Sequence, residues 1–272
     1  GSGSGDGRQI VRPEIFPRRF GHGPRRALGI HCTLAHSGAW RGVGEALADE
    51  LSLLCFDLPS HGKSGDWDGQ GNVHDVATDM ARSLLTEPMD IIGHSFGATI
   101  GLRLAVESPE LVRSLTMIEP VYFAAALVDD PARVAAADRN SAGFNAAFDR
   151  GDRMEAARIF NTGWGDGNGW EQTPQKLRQY MADRIHYVPA SQPFLRDDSA
   201  GLLAPGKFER ASMPVLLLDG ATSGDMTDAI STSLAKRLPD VTRSEIEGAG
   251  HMAPLTHPEA VAAQIRTFLA RS

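Results

Sequence analysis

The sequence predicts an α/β fold: a mostly parallel, doubly wound sheet with helices on both faces and a helical insertion between two strands. Three observations predict it. Short apolar runs alternate with amphipathic stretches over residues 26–118 and again over 214–270, the βαβ pattern of a parallel sheet. A Gly-x-Ser-x-Gly stretch, Gly93-His94-Ser95-Phe96-Gly97, sits between one such strand and the helix after it. Between residues 121 and 210 the alternation stops, and only patches of helical periodicity remain.

Taken in order, residues 1–7 are Gly/Ser-rich and read as a flexible tail or expression remnant. Residues 8–20 mix Arg and Pro with Ile10, Val11, Ile15 and Phe16, which predicts one or two antiparallel edge strands. Residues 26–32 form a strand ending in a polar loop, Thr33 to Ala39. Trp40 to Leu51 is a helix with Trp40, Val43, Leu47 and Leu51 on one face. Leu51 to Asp57 is an apolar strand. The loop Asp57-Leu58-Pro59-Ser60-His61-Gly62-Lys63-Ser64 follows it, rich in breakers. His74 to Leu85 is an amphipathic helix, Met89 to Ile92 a buried strand, and Leu111 to Ile118 another strand.

In the insertion, helices are expected at Pro131–Ala137, Ala142–Phe148, Met154–Phe160 and Pro174–Arg184. This segment reads as a lid over the sheet. The strand pattern returns at Pro214–Asp219. A helix from Met226 to Leu238, a strand from Val241 to Glu247 and a helix from Pro258 to Ala270 complete the chain. The expected division is a core of residues 8–120 and 211–272, and a lid of 121–210.

The chain has 272 residues, 42% of them hydrophobic, enough to bury one large core. Its formal charge of −7 argues against nucleic-acid binding. Cys32 and Cys55 lie in apolar runs and read as free buried thiols. No cluster has zinc-ligand spacing and no G-x-G-x-x-G follows an early strand, so neither metal nor cofactor is expected. No apolar run is long enough to span a membrane, and no signal-peptide core follows the N-terminus. The expected compartment is the cytoplasm. The oligomeric state stays open, a homodimer included.

Ser95 sits on a sharp strand-to-helix turn. The turn aims its hydroxyl out of the sheet and leaves the Phe96 N–H at a helix N-terminus, where negative charge is favoured. Side chains at Gly93 or Gly97 would collide in so tight a turn.

With these residues in view, the chain resembles the α/β-hydrolase superfamily over essentially its whole length. Gly93–Gly97 looks like its nucleophile elbow. Asp57–Ser64 is close to D-x-P-G-x-G-x-S, with Ser60 replacing the first Gly. Ile30-His31-Cys32-Thr33 stands where the family has H-G-x, with Cys32 replacing Gly. Gly248-Ala249-Gly250-His251-Met252 matches its histidine loop. The resemblance implies Ser95 as nucleophile and His251 as base. It implies Thr33 and Phe96 as backbone donors to an oxyanion.

The acid stays open. The family's usual place, three residues past Gly220, holds Ser223. Asp225 lies two residues on, and reads equally well as a helix-start carboxylate. Glu119 ends the strand after the elbow helix. A minority of the superfamily, some haloalkane dehalogenases among them, looks similar in placing the acid there. Glu119 is preferred, with Asp225 the alternative, because a Ser-His pair needs one carboxylate. Cys32 is expected to be structural. His36 and Ser37 are candidates for the substrate entrance or plain loop polarity. Trp164, Trp170, Phe144, Phe148, Phe160, Tyr180 and Tyr187 would line an acyl pocket or form lid core. Arg184 and His186 are further candidates for contact with a polar substrate group.

The expected activity is serine-dependent hydrolysis of a small-molecule carboxylic ester, lactones and thioesters included. The alternatives are a C–C bond hydrolase of the same fold, cofactor-independent perhydrolysis, and a non-catalytic ligand-binding module. Dehalogenation is disfavoured, because it needs Asp where Ser95 stands.

Overall fold

A computed structural model describes residues 9–272; the Gly/Ser-rich tail lies outside the described residues. The chain runs through β1 (Pro17–Phe20), β2 (Arg25–Ile30), α1 (Arg41–Ala46), β3 (Leu51–Phe56), α2 (Val73–Leu84), β4 (Met89–His94), α3 (Phe96–Glu107) and β5 (Val112–Ile118). Then come α4 (Phe123–Asp129), α5 (Arg133–Asp149), α6 (Arg153–Trp164), α7 (Gln175–Arg184) and α8 (Tyr187–Leu195). The chain ends with β6 (Val215–Gly220), α9 (Asp225–Arg237), β7 (Val241–Ile246), α10 (Ala253–Thr256) and α11 (Pro258–Ala270).

The seven strands form one sheet in the order β1-β3-β2-β4-β5-β6-β7. Only β1 is antiparallel, pairing with β3 from Pro17↔Phe56 to Phe20↔Leu53. The others are parallel because each crossover carries helix across a face. Alternate residues along each strand enter different cores. Val215 and Leu217 of β6 join Ile91, Leu115, Met80 and Ile230 on one face. Leu216 and Leu218 join Val43, Ile92, Val261 and Phe268 on the other. Covering both faces explains the mostly apolar runs of β3 and β6, whereas the edge strand β7 is mixed and half-exposed. The order of winding reverses between β2 and β4, which pair from Ala27↔Asp90 to Ile30↔Gly93. Their C-terminal ends therefore open a crevice in which loops from both strands meet.

Several elements differ from expectation. The helix expected from Trp40 to Leu51 is α-helical only from Arg41 to Ala46. Beyond it the chain turns into β3, which begins at Leu51, and the Ala48, Glu50 and Leu51 carbonyls accept from the N–H groups of His22, Arg25 and Gly23. The two patches expected within 131–148 are one helix, α5. Helices α4 and α8 were not expected. Alpha8 contains Pro193, and burial of Tyr187, Phe194 and Leu195 holds it in place despite the missing N–H. Between β5 and β6 the chain is helical, and part of it has a small core of its own around Phe144, Ala157, Met181 and Ile185.

Candidate active site

The turn after β4 sets the site. Ser95 has φ 57° and ψ −116°, a strained conformation for a residue with a side chain. The surrounding packing holds it there. A Cβ on Gly97 would lie 2.2 Å from the Ile30 carbonyl oxygen, and one on Gly93 would lie 2.5 Å from that of Gly97. Only glycine lets the start of α3 press this closely on the end of β2.

Ser95 Oγ lies 2.9 Å from His251 Nε2, and His251 Nδ1 lies 2.8 Å from Glu119 Oε1. The three side chains, brought together from β4, the loop after β7 and the end of β5, form one hydrogen-bonded chain. Glu119 Oε2 also accepts from Gly220 N–H at 2.7 Å and from the Ser223 hydroxyl at 2.6 Å. Burial pushes the Glu119 carboxyl upward. His251, by hydrogen bond and charge, together with Ser223 and Gly220, outweighs that, so the group lies below its ordinary value and is ionised at neutral pH. Glu119 has φ +51°, a strained value that aims its side chain at this cluster while its N–H stays paired with Leu218.

Asp225 is placed elsewhere. It opens α9, its side chain is 80% exposed, and it pairs with Arg133 of α5. No hydrogen bond joins it to His251 among the described residues.

The loop after β2 is a tight turn from Cys32 to Ala35, closed by Ala35 N–H on the Cys32 carbonyl, with Leu34 at φ +70°. The Leu34 N–H is taken by His61 Nε2 at 2.9 Å. Among the described residues, no protein acceptor takes the N–H of Thr33 or of Phe96.

Four histidines around these loops act as neutral cross-links, a role the sequence did not reveal. His31 donates from Nδ1 to the Cys32 carbonyl and accepts Leu58 N–H. His61 donates to the Pro59 carbonyl while accepting from Leu34. His94 donates to the His251 carbonyl at 2.7 Å. Burial pulls His31 down to about 4 and His61 and His94 down to about 3. Buried His74, stacked on Phe194, is also lowered by burial and by Arg103. The Asp57 carboxylate organises the next loop by accepting the N–H groups of Ser37 and Lys63. Ser60, where the resemblance led to glycine, has φ +66°.

A cavity of about 1110 Å³ rises from Ser95 and His251 between the sheet edge and helices α5 to α8. Of the expected aromatics, Phe144, Phe160, Trp164 and Tyr180 line it. Trp164 packs edge-on against His251, with ring centroids 4.8 Å apart. Tyr187 instead lies fully buried against His61 and Phe96, while Trp170 and Phe148 pack in the insertion's own core. The Tyr180 hydroxyl donates to the Ala35 carbonyl and accepts Gly62 N–H, tying the insertion to both loops. Arg184 donates to the Ser60 carbonyl and stacks on Tyr180. His186 is half-buried, and its Nδ1 has no partner among the described residues. His36 caps a short 3-10 turn at Ser37–Trp40 and reaches the cavity wall. Ser37 is fully buried and accepts from Arg18, so it is not at an entrance. Cys32 is a buried thiol pushed up to about 12 by burial, which keeps it in the less nucleophilic protonated form.

A serine on a strand–helix turn, a histidine and a carboxylate in one hydrogen-bonded line, and a cavity at the switch point of a parallel sheet define a class of hydrolase. The sequence model of the Alpha/beta hydrolase family matches residues 27–264, and the chain belongs to that family. It is 27% identical to the putative carbamate hydrolase RutD of Azorhizobium caulinodans over 228 residues, covering 82% of this chain and 83% of the relative. It is 28% identical to the pimeloyl-[acyl-carrier protein] methyl ester esterase of Methylococcus capsulatus over 270 residues, covering 95% and 99%. An α/β hydrolase structure from Sphaerobacter thermophilus superposes with TM-score 0.70 at 22% identity, covering 96% of this chain and 100% of that one. No described helix is long and apolar enough to cross a membrane, and no described group of His, Cys, Asp and Glu has the arrangement of a metal site.

Proposed function

We propose that this chain is a serine-dependent hydrolase of small-molecule carboxylic esters, lactones and thioesters included. The observation that carries the reading is the unbroken hydrogen-bonded line from Ser95 through His251 to Glu119 at the foot of the cavity. Ser95 Oγ attacks the ester carbonyl as His251 Nε2 takes its proton. Glu119 keeps the other imidazole proton on Nδ1 and stabilises the imidazolium. The N–H groups of Thr33 and Phe96 hold the developing oxyanion, and the α3 N-terminus favours that charge. His251 returns the proton to the leaving alcohol. It then activates water, which attacks the acyl-enzyme and releases the acid.

Helices α5 to α8 act as a lid, with Tyr180 as the tether that seats it on the oxyanion loop. The cavity is slightly larger than the roughly 300–1,000 Å³ typical of drug-sized ligand pockets, so esters with a bulky apolar group fit it better than acetates. Two buried free thiols, Cys32 and Cys55, suit a reducing compartment such as the cytoplasm.

Hydrolysis of p-nitrophenyl esters from C2 to C12 tests the reading, with wild type and Ser95→Ala side by side. Turnover that disappears in Ser95→Ala and peaks at medium to long chains is expected. Wild-type turnover no higher than that of Ser95→Ala on every ester would overturn it and favour carbon–carbon hydrolysis or plain ligand binding.

A further inference from the structure

The loop after β6 carries a hydroxyl that no step above uses. Ser223 donates to Glu119 Oε2 at 2.6 Å, and Gly220 N–H donates to the same oxygen at 2.7 Å. The other oxygen, Oε1, meets His251. Two donors on one oxygen fix the plane of the carboxylate, so the second oxygen points at Nδ1. The donors are themselves fixed. Ser223 N–H closes a turn on the Gly220 carbonyl, and Thr222 binds the Ala249 carbonyl through both N–H and hydroxyl. Ala249 lies two residues before His251. The loop that holds the acid is thus tied to the loop that carries the base.

We propose that Ser223 is a positioning residue for the reaction: its hydroxyl holds the Glu119 carboxylate aimed at His251. The proposal rests on the Ser95–His251–Glu119 reading, but not on the ester being the substrate. The resemblance led to a carboxylate at position 223; here a hydroxyl in that place serves the carboxylate at 119.

The hydrogen bond has a signature in pH. Its acceptor, Glu119, lies below its ordinary value, and the Ser223 hydroxyl is one of the causes. A donor to Oε2 stabilises the charged form, so its removal moves the acid limb of reactivity to higher pH. The other titratable groups near Glu119 are His94 and Asp219. Burial keeps His94 neutral, at about 3. Asp219, at the end of β6, is pushed up to about 6 by burial, with nearby Glu119 adding to the rise and Arg243, 4.0 Å away, opposing it. Asp219 therefore needs its own control.

The test follows inactivation by a fluorophosphonate across pH 5–9, with circular dichroism at each pH to confirm that every variant stays folded; it needs a reactive Ser95 and no ester substrate. It compares wild type, Ser223→Ala, Ser223→Thr and Asp219→Asn. Ser223→Ala should react about tenfold more slowly at its plateau, with its acid limb at higher pH. Ser223→Thr keeps the hydroxyl and should restore both rate and limb. On any ester that wild type turns over, Ser223→Ala should lower kcat about tenfold and leave KM within about twofold. The proposal is overturned if Ser223→Ala reacts like wild type. It is also overturned if the limb moves only in Asp219→Asn, or if Ser223→Thr is as slow as Ser223→Ala with an unmoved limb. Wild type that is labelled at Ser95 yet hydrolyses no ester would sink the ester reading and leave the role of Ser223 intact.

Discussion

Replacing Glu119 with Gln separates charge from shape at the candidate acid. The side chain keeps its length but has one oxygen and one NH₂ where the carboxylate has two oxygens. If the oxygen faces His251, the NH₂ faces Gly220 N–H, donor against donor across 2.7 Å. If the amide flips, its NH₂ meets His251 Nδ1 at the present 2.8 Å, and the imidazole proton must move to Nε2. His251 then cannot accept from Ser95. Either arrangement also loses the negative charge that stabilises the imidazolium. A triad whose acid becomes an amide loses about 10⁴ in kcat through the wrong tautomer. We expect a loss of about 10³–10⁴ here, or about 4–5.5 kcal/mol in the barrier. The assay is steady-state hydrolysis of p-nitrophenyl butyrate by active-site-titrated protein, with thermal unfolding recorded alongside. Asp225→Asn is the paired variant. Its exposed ion pair with Arg133 contributes ~0–1 kcal/mol to stability and is not joined to His251, so kcat should stay within about twofold. The reasoning is refuted if Glu119→Gln keeps kcat within about tenfold of wild type, or if Asp225→Asn falls as far.

Other expected outcomes follow from the same geometry. Gly97→Ala puts a Cβ 2.2 Å from the Ile30 carbonyl oxygen and 2.7 Å from that of His31, so backbone must move. It should cost about 3 kcal/mol and lower Tm by roughly 6–10 °C, whereas Gly143→Ala, with nothing within 4 Å, should not destabilise. His31, His61 and His94 lie far below the ordinary 6.5 because burial disfavours their charged forms. The unfolded chain takes up protons below pH 6.5 that the folded chain refuses, so stability is complete above that pH and is lost as pH falls towards 4. At pH 5 the loss is about 2 kcal/mol per histidine, and a urea midpoint unchanged between pH 7 and pH 5 would contradict it. Tyr180→Phe frees both the Ala35 carbonyl and Gly62 N–H. It should lower stability by about 1 kcal/mol in urea unfolding and kcat/KM by about threefold to tenfold, while an unchanged kcat/KM would remove Tyr180 as a functional tether of the Cys32–Ala35 turn.

The elbow was legible because its physics is local. A strand, a turn too tight for a Cβ and a helix packed on small residues are all set within residues 89–107, and β4, Ser95 and α3 stand where the pattern put them. Much of the parallel sheet was equally legible, since central strands such as β3 and β6, covered on both faces, are mostly apolar. The C-terminal helix Pro258–Ala270 has the bounds expected of it. Alpha8 was hidden because Pro189 and Pro193 argue against a helix, and only the burial of Tyr187 and Phe194 offsets them. Which aromatics line the cavity was hidden too. Trp164 and Tyr187 look alike in sequence, yet one faces His251 and the other is sealed beneath the loops.

The sequence by itself determined the fold class, from strand and helix patterns along the chain, and the serine on its turn, from a few neighbouring residues; the histidine was singled out by the resemblance of its Gly-rich loop to the family's. The tertiary structure decided which carboxylate meets that histidine. Glu119 lies 132 residues from His251 and 104 from Ser223. They meet only because β5 pairs with β6 and β6 with β7, bringing the ends of three strands side by side. Asp225, nearer to His251 in sequence, opens a helix that carries it out to Arg133 and solvent. Contact between residues so distant in the chain depends on strand order and on the direction each side chain leaves its strand. Neither is encoded in the spacing of residue types.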